Sequence, residues 1–164
     1  MAAGMTYTPL ATTKLTSSSD TVTFSSIPSG YTDLVLVSQA KGTGSSPIYL
    51  RINSDTGTNY SDTEVFGYLG AAYSTRSTGN SYLFLNVTGS SLNGTWGSGI
   101  TNFNNYSNTT TYKTMLTRFN SAAEATALVG LWRNTAAINS LTLYTTSSTF
   151  LDGSTFTLYG ILAA

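Results

Sequence analysis

Asp33-Leu34-Val35-Leu36-Val37-Ser38-Gln39-Ala40 decides the fold class. Its four consecutive aliphatic residues, Leu34 to Val37, occupy both alternating side-chain sets of an extended chain, the pattern of a strand covered on both faces. No segment of the chain offers a convincing helical apolar period. Outward from Leu34 to Val37, runs rich in Val, Ile, Leu, Tyr, Phe and Thr recur about every 10 to 15 residues between clusters of Gly, Ser and Asn, the spacing of an all-β sandwich or barrel.

The spacing predicts strands over Thr12–Leu15, Thr21–Phe24, Asp33–Ala40, Ile48–Asn53, Glu64–Leu69, Tyr82–Val87, Ser98–Phe103, Tyr112–Phe119, Thr126–Arg133, Ile138–Thr145 and Ser154–Leu162. So many short strands supply apolar faces for two stacked antiparallel sheets, and a jelly-roll-like β-sandwich is the expected architecture. Tyr112–Phe119 carries a charge on each face, Lys113 on one and Arg118 on the other, which places it near a sheet edge or a subunit contact. Turns are expected at Asn53–Gly57, Ser91–Gly94 and Leu151–Ser154, where Asn-Gly and Asp-Gly readily take positive φ. The last is expected to close a C-terminal hairpin. Residues 1–10 lack periodicity and read as an N-terminal arm, leaving 11–164 as a single domain.

Composition supports the same fold. The 164 residues include 30 threonines and 11 tyrosines, which favour the pleated surface, while abundant Ser and Asn compete with helical backbone bonds. Only 9% of the chain is charged, against roughly 25% in an ordinary soluble domain. With no His and no Cys, the commonest general base, thiol nucleophiles, disulfides and the usual transition-metal ligands are absent. Seven basic and seven acidic side chains cancel, so no cationic field gathers nucleic acid or an anionic membrane. No apolar run approaches a membrane span, and the first residues do not read as a secretory signal. Near-zero net charge leaves little colloidal repulsion for a free monomer, a liability that a place in an assembly removes.

Five segments taken together resemble a family of structural proteins from tailed-bacteriophage virions. They are Ile27–Val37 (IPSGYTDLVLV), Arg51–Ser61 (RINSDTGTNYS), Asn105–Thr114 (NYSNTTTYKT), Gly130–Ile138 (GLWRNTAAI) and Gly153–Ile161 (GSTFTLYGI). The resemblance spans about Phe24 to Ile161 and rests on the set, each segment alone being weakly specific. It implies a jelly-roll-like virion module, either a stand-alone head protein or a domain of a longer tail or fibre protein. The chain starts with methionine and carries no fibre repeat, which favours the stand-alone form: a capsid decoration or cement protein on the outer surface of the head, made in the host cytoplasm. Its implied partners are the major capsid protein and copies of itself, a homotrimer by analogy with jelly-roll decoration proteins. The alternative is a receptor- or glycan-binding module of a tail fibre or spike. No cofactor is implied.

Candidate sites follow from residue chemistry. Trp96, between Gly94 and Gly97, is either a loop plug or an exposed contact residue. Lys113, Arg118 and Arg133 lie on expected strands beside apolar neighbours, where multi-donor cations suit a partner's carbonyls and carboxylates. Arg51 and Arg76 have the same capacity on weaker grounds. Trp132, within the apolar run Ala127–Trp132, reads as core or subunit interface. Asn53, Asp55, Asn59 and Asp62 crowd one loop and have oxygens suited to Ca²⁺, yet they are also ordinary turn residues, and the turn reading is the stronger. Asp62 and Glu64 share one strand face, the minimum for a glycosidase pair. Nothing in the sequence supplies a cleft around them, and a non-enzymatic role is expected.

Overall fold

The computed structural model describes residues 6–86 and 92–162. Twelve strands are named β1 Tyr7–Lys14, β2 Thr21–Phe24, β3 Asp33–Lys41, β4 Tyr49–Ile52, β5 Tyr60–Tyr68, β6 Ala71–Asn80, β7 Leu83–Phe84, β8 Trp96–Phe103, β9 Lys113–Ser121, β10 Glu124–Trp132, β11 Leu141–Tyr144 and β12 Thr155–Ile161. They form a β-sandwich of two antiparallel sheets. The larger has the order β1-β12-β3-β8-β9-β10-β5-β6 and the smaller β2-β11-β4-β7.

The core lies between the sheets because alternate residues of each strand point to opposite faces. Leu34, Leu36, Phe103, Met115, Phe119, Leu128, Trp132, Phe156 and Leu158 point inward from the large sheet. Val22, Phe24, Leu50, Ile52, Leu141 and Leu143 meet them from the small one. Gly97 and Gly99 let the Phe119 ring lie on β8: a Cβ at either position would stand 2.5 and 2.9 Å from ring carbons.

Several expectations change. Strand β9 lies between β8 and β10, inside the sheet and not at its edge, because one of its two charges is internal, as described below. Residues 7–10 of the expected arm belong to β1, which pairs with β12 from Tyr7↔Ile161 to Lys14↔Thr155; residues 1–5 lie outside the described residues. The expected C-terminal hairpin does not form, since β11 and β12 belong to different sheets. Turn 151–154 instead carries the chain from the Phe150 bridges with Ser19 and Gly42 into β12. Val87, the end of one expected strand, lies outside the described residues.

Strand β6 was not expected at all. It is exposed along nearly its whole length and has no apolar alternation, so only its ladder with β5 defines it. The two strands join through a two-residue turn, Leu69-Gly70, with φ of 48° and 85°, as a type I′ hairpin requires.

Candidate interaction surface

The outer face of the large sheet breaks the usual rule that a solvated sheet face is polar. Its strand register aligns Val37, Ile100, Arg118, Ala127, Val65 and Ser74 in one row across β3, β8, β9, β10, β5 and β6. The neighbouring row toward one end of the sheet is Gln39, Ser98, Asn120, Ala125, Gly67 and Ala72. Toward the other end lie Val35, Asn102, Leu116, Val129, Thr63 and Arg76. Large aliphatic side chains therefore face outward together: Val65 is 57% exposed, Val129 53% and Leu116 44%, with Val37 and Ile100 each at 37%.

The first two rows floor a trough of about 1210 Å³. A smaller depression of about 280 Å³, lined by Thr63, Arg76, Val129 and Leu131 among others, continues along the same face. Contiguous exposed apolar surface of this kind marks an interaction site more often than isolated exposed residues do. Within the three rows the ionisable groups are Arg118 and Arg76, and no carboxylate is present. Among the described residues Arg118 has no ion-pair partner.

This arrangement separates the sequence-derived candidates. Trp96 and Arg118 share the outer face, since residues 96, 98 and 100 of β8 alternate to one side and Ile100 pairs with Arg118. Half-exposed Trp96 stands at the rim, beside Gly153 of turn 151–154. Lys113 is instead only 2% exposed. Its Nζ donates to the carbonyls of Thr111 at 2.8 Å and Thr135 at 3.1 Å, so it ties two loops together and is not a surface contact. Burial lowers its pKa. Arg133 clamps the start of β5, donating to Ser61 Oγ at 3.1 Å and to the Thr58 carbonyl at 2.8 Å.

Residues 53–59 form a turn bonded both within itself and to neighbouring segments. Asn53 and Ser54 have φ of 52° and 56°, and Asn53 Oδ1 accepts from the amides of Asn139 and Ser140. Asp55 accepts from Gly57 N, Asn59 Nδ2 and Trp132 Nε1, at 2.8, 2.8 and 2.7 Å. Asp62 does not join them. It lies on the inner face of β5 with Glu64, and the two are 3% and 4% exposed. These carboxyls face the core, not a substrate cleft. Among the described residues, Asp62 Oδ1 and Glu64 Oε2 have no hydrogen-bond partner. Burial pushes the Asp62 carboxyl up to about 6, although Asn80 donates to it. Burial, then the nearby charges of Asp62 and Glu124, push Glu64 up to about 7. Among the described residues, no three acidic side chains converge on a metal position.

Sequence reasoning missed a second feature, an aromatic cluster on the outer face of the small sheet. Tyr49 lies 4.6 Å from Tyr82, 5.5 Å from Phe84 and 5.3 Å from Tyr144 between ring centres, and the Arg51 guanidinium sits 4.6 Å over the Tyr144 ring. Its members come from three strands and a loop, and only the register of β4 with β11 and β7 brings them together.

No protein-family model matches the chain, and no curated protein sequence matches it.

Proposed function

We propose that the protein is a non-enzymatic structural component of a phage virion, a decoration or cement protein that adheres to the capsid through the outer face of its large sheet. The observation that carries this reading is the apolar trough: a broad, weakly charged surface suited to adhesion, on the opposite face of β5 from the buried carboxyls. The family resemblance supplies the virion setting, and the homotrimer follows from that analogy alone. A cement protein acts by mass action. It binds the assembled lattice and not free subunits, and so shifts the equilibrium toward the shell, with modest contacts multiplied over many copies.

Quantitative staining of purified virions tests the proposal. A decoration protein is present in hundreds of copies per particle, and particles lacking it lose resistance to heat and low ionic strength. Absence from particles, or unaltered resistance without it, overturns the cement role.

One observation favours a second reading. The cluster of Tyr49, Tyr82, Phe84 and Tyr144 with Arg51 offers ring faces and donors of the kind that contact sugars, as a glycan-binding module of a tail fibre or spike requires. Such a module is present in tens of copies or fewer, so the same staining separates the two.

A further inference from the structure

We propose that the trough on the large sheet receives an apolar segment of another protein that brings a carboxylate to Arg118. This names the partner chemistry of the contact proposed above and rests on that reading of the face.

The trough excludes other occupants on physical grounds. Its floor crosses six strands, roughly 24 Å at the ordinary strand spacing, and is open along its length, whereas small-molecule sites enclose most of the ligand. A bilayer surface is flat where this face is concave, and one arginine on the floor is not the polybasic cluster that anionic lipid attracts. A twofold stack of two copies centred on the trough sets Arg118 against Arg118, with no carboxylate in the rows to answer either, and like charges juxtaposed in an interface are strongly disfavoured.

A heterologous protein segment meets each demand. Aliphatic or aromatic side chains cover Val37, Ile100 and Val65, while Asp or Glu accepts two parallel N–H bonds from the guanidinium. The carboxylate is required because covering Arg118 without a counter-charge leaves a desolvated cation unpaired. The small residues Ala125 and Ala127 beside it leave room for the partner's backbone to approach.

The test is selection of a random dodecapeptide library on the intact protein and on Arg118→Glu. The expected result is enrichment of peptides with Asp or Glu flanked by apolar residues, whose binding falls roughly ten- to a hundredfold with Arg118→Glu. Replacing the peptide's acid by its amide gives a similar loss. Val65→Ser, which keeps the charge, weakens the same peptides. Both positions are exposed, so unchanged thermal melts verify that the variants fold. Enriched peptides without an acid, affinity insensitive to Arg118→Glu, or no enrichment at all would overturn the proposal. So would Arg118-dependent dimerisation in sedimentation, or co-sedimentation with phosphatidylglycerol vesicles. Particle counting reads the virion role separately: if the protein is absent from virions while acidic peptides still require Arg118, the virion reading falls and the trough assignment stands.

Discussion

The indole of Trp132 donates to Asp55 Oδ2 over 2.7 Å, tying the end of β10 to the turn after β4. Trp132 also stacks on Tyr60, with ring centres 6.4 Å apart. Burial alone would raise the Asp55 carboxyl. The bonds from Trp132, Asn59, Gly57 and Asn134 together outweigh it and hold the pKa below its ordinary value. Asp55→Ala is therefore expected to cost about 1.5–3 kcal/mol, the range for a hydrogen bond to a charged group. Combined with Trp132→Phe, it should cost less than the sum of the two single changes, because both remove the same bond. Urea denaturation of the four proteins in the cycle measures this.

The inner-face acids give stability a pH profile of opposite slope. The Asp62 and Glu64 carboxyls titrate near 6 and 7 in the fold, against 3.8 and 4.5 as ordinary groups, so the folded state holds their protons more tightly than the unfolded chain does. Their contribution is fully present below about pH 4 and is lost as pH rises through 6 and 7. Asp55, with its depressed pKa, acts the other way, and its contribution is lost as pH falls below the ordinary carboxylate range. Stability is thus expected to peak in mildly acidic solution and to fall toward pH 8 by on the order of a few kcal/mol. Glu64→Gln with Asp62→Asn should flatten the alkaline side of that profile and raise the melting temperature at pH 8. A melt series whose midpoint rises from pH 5 to pH 8 would contradict this assignment.

How much of this was legible in the sequence depended on whether burial wrote a pattern into it. Strands β3, β8 and β10 face the core, so alternation or a continuous aliphatic run marked them. Strand β6 buries almost nothing, and its polar sequence, Ala71–Asn80, carries no periodic signal. Leu34-Val35-Leu36-Val37 predicts a strand covered on both faces, and Leu34, Val35 and Leu36 are buried. Val37, however, emerges into the trough and is not covered. Sequence showed that the second face was apolar but not whether anything lay over it. Lys113 and Arg118 had equal standing as candidates because residue type cannot reveal which side of β9 is the core. The trough was illegible for a related reason: it is built from register across six strands, each adding only one or two residues.

Leu69 offers a test of the hairpin that sequence reasoning missed. It is 74% exposed and holds φ at 48°, a left-handed conformation that costs an ordinary side chain roughly 1–2 kcal/mol and that Asn or Gly tolerates. Its side chain therefore adds strain with little compensating burial. Leu69→Asn is expected to stabilise the protein by about 0.5–1 kcal/mol, seen as a higher denaturation midpoint with unchanged slope. A loss of stability would mean that the leucine side chain contributes packing at the β5–β6 turn that outweighs its backbone strain.

Strand β9 carries two cations on opposite faces, and they should respond to truncation in opposite ways. Lys113→Ala removes the donor that bridges the Thr111 and Thr135 carbonyls and leaves a space where the buried stem lay. Part of the loss is offset because a buried ammonium no longer has to be desolvated, the effect that lowers its pKa. A net destabilisation of about 1–3 kcal/mol is expected. Arg118→Ala removes a side chain with no ion-pair partner among the described residues and should change stability by no more than about 0.5 kcal/mol. Adhesion should show the reverse order once the Lys113 variant is assayed well below its melting temperature: Arg118→Ala weakens binding through the trough, and Lys113→Ala leaves it unchanged. Equal effects of both variants on binding would show that β9 acts through overall fold stability, and that the trough has no specific use for its arginine.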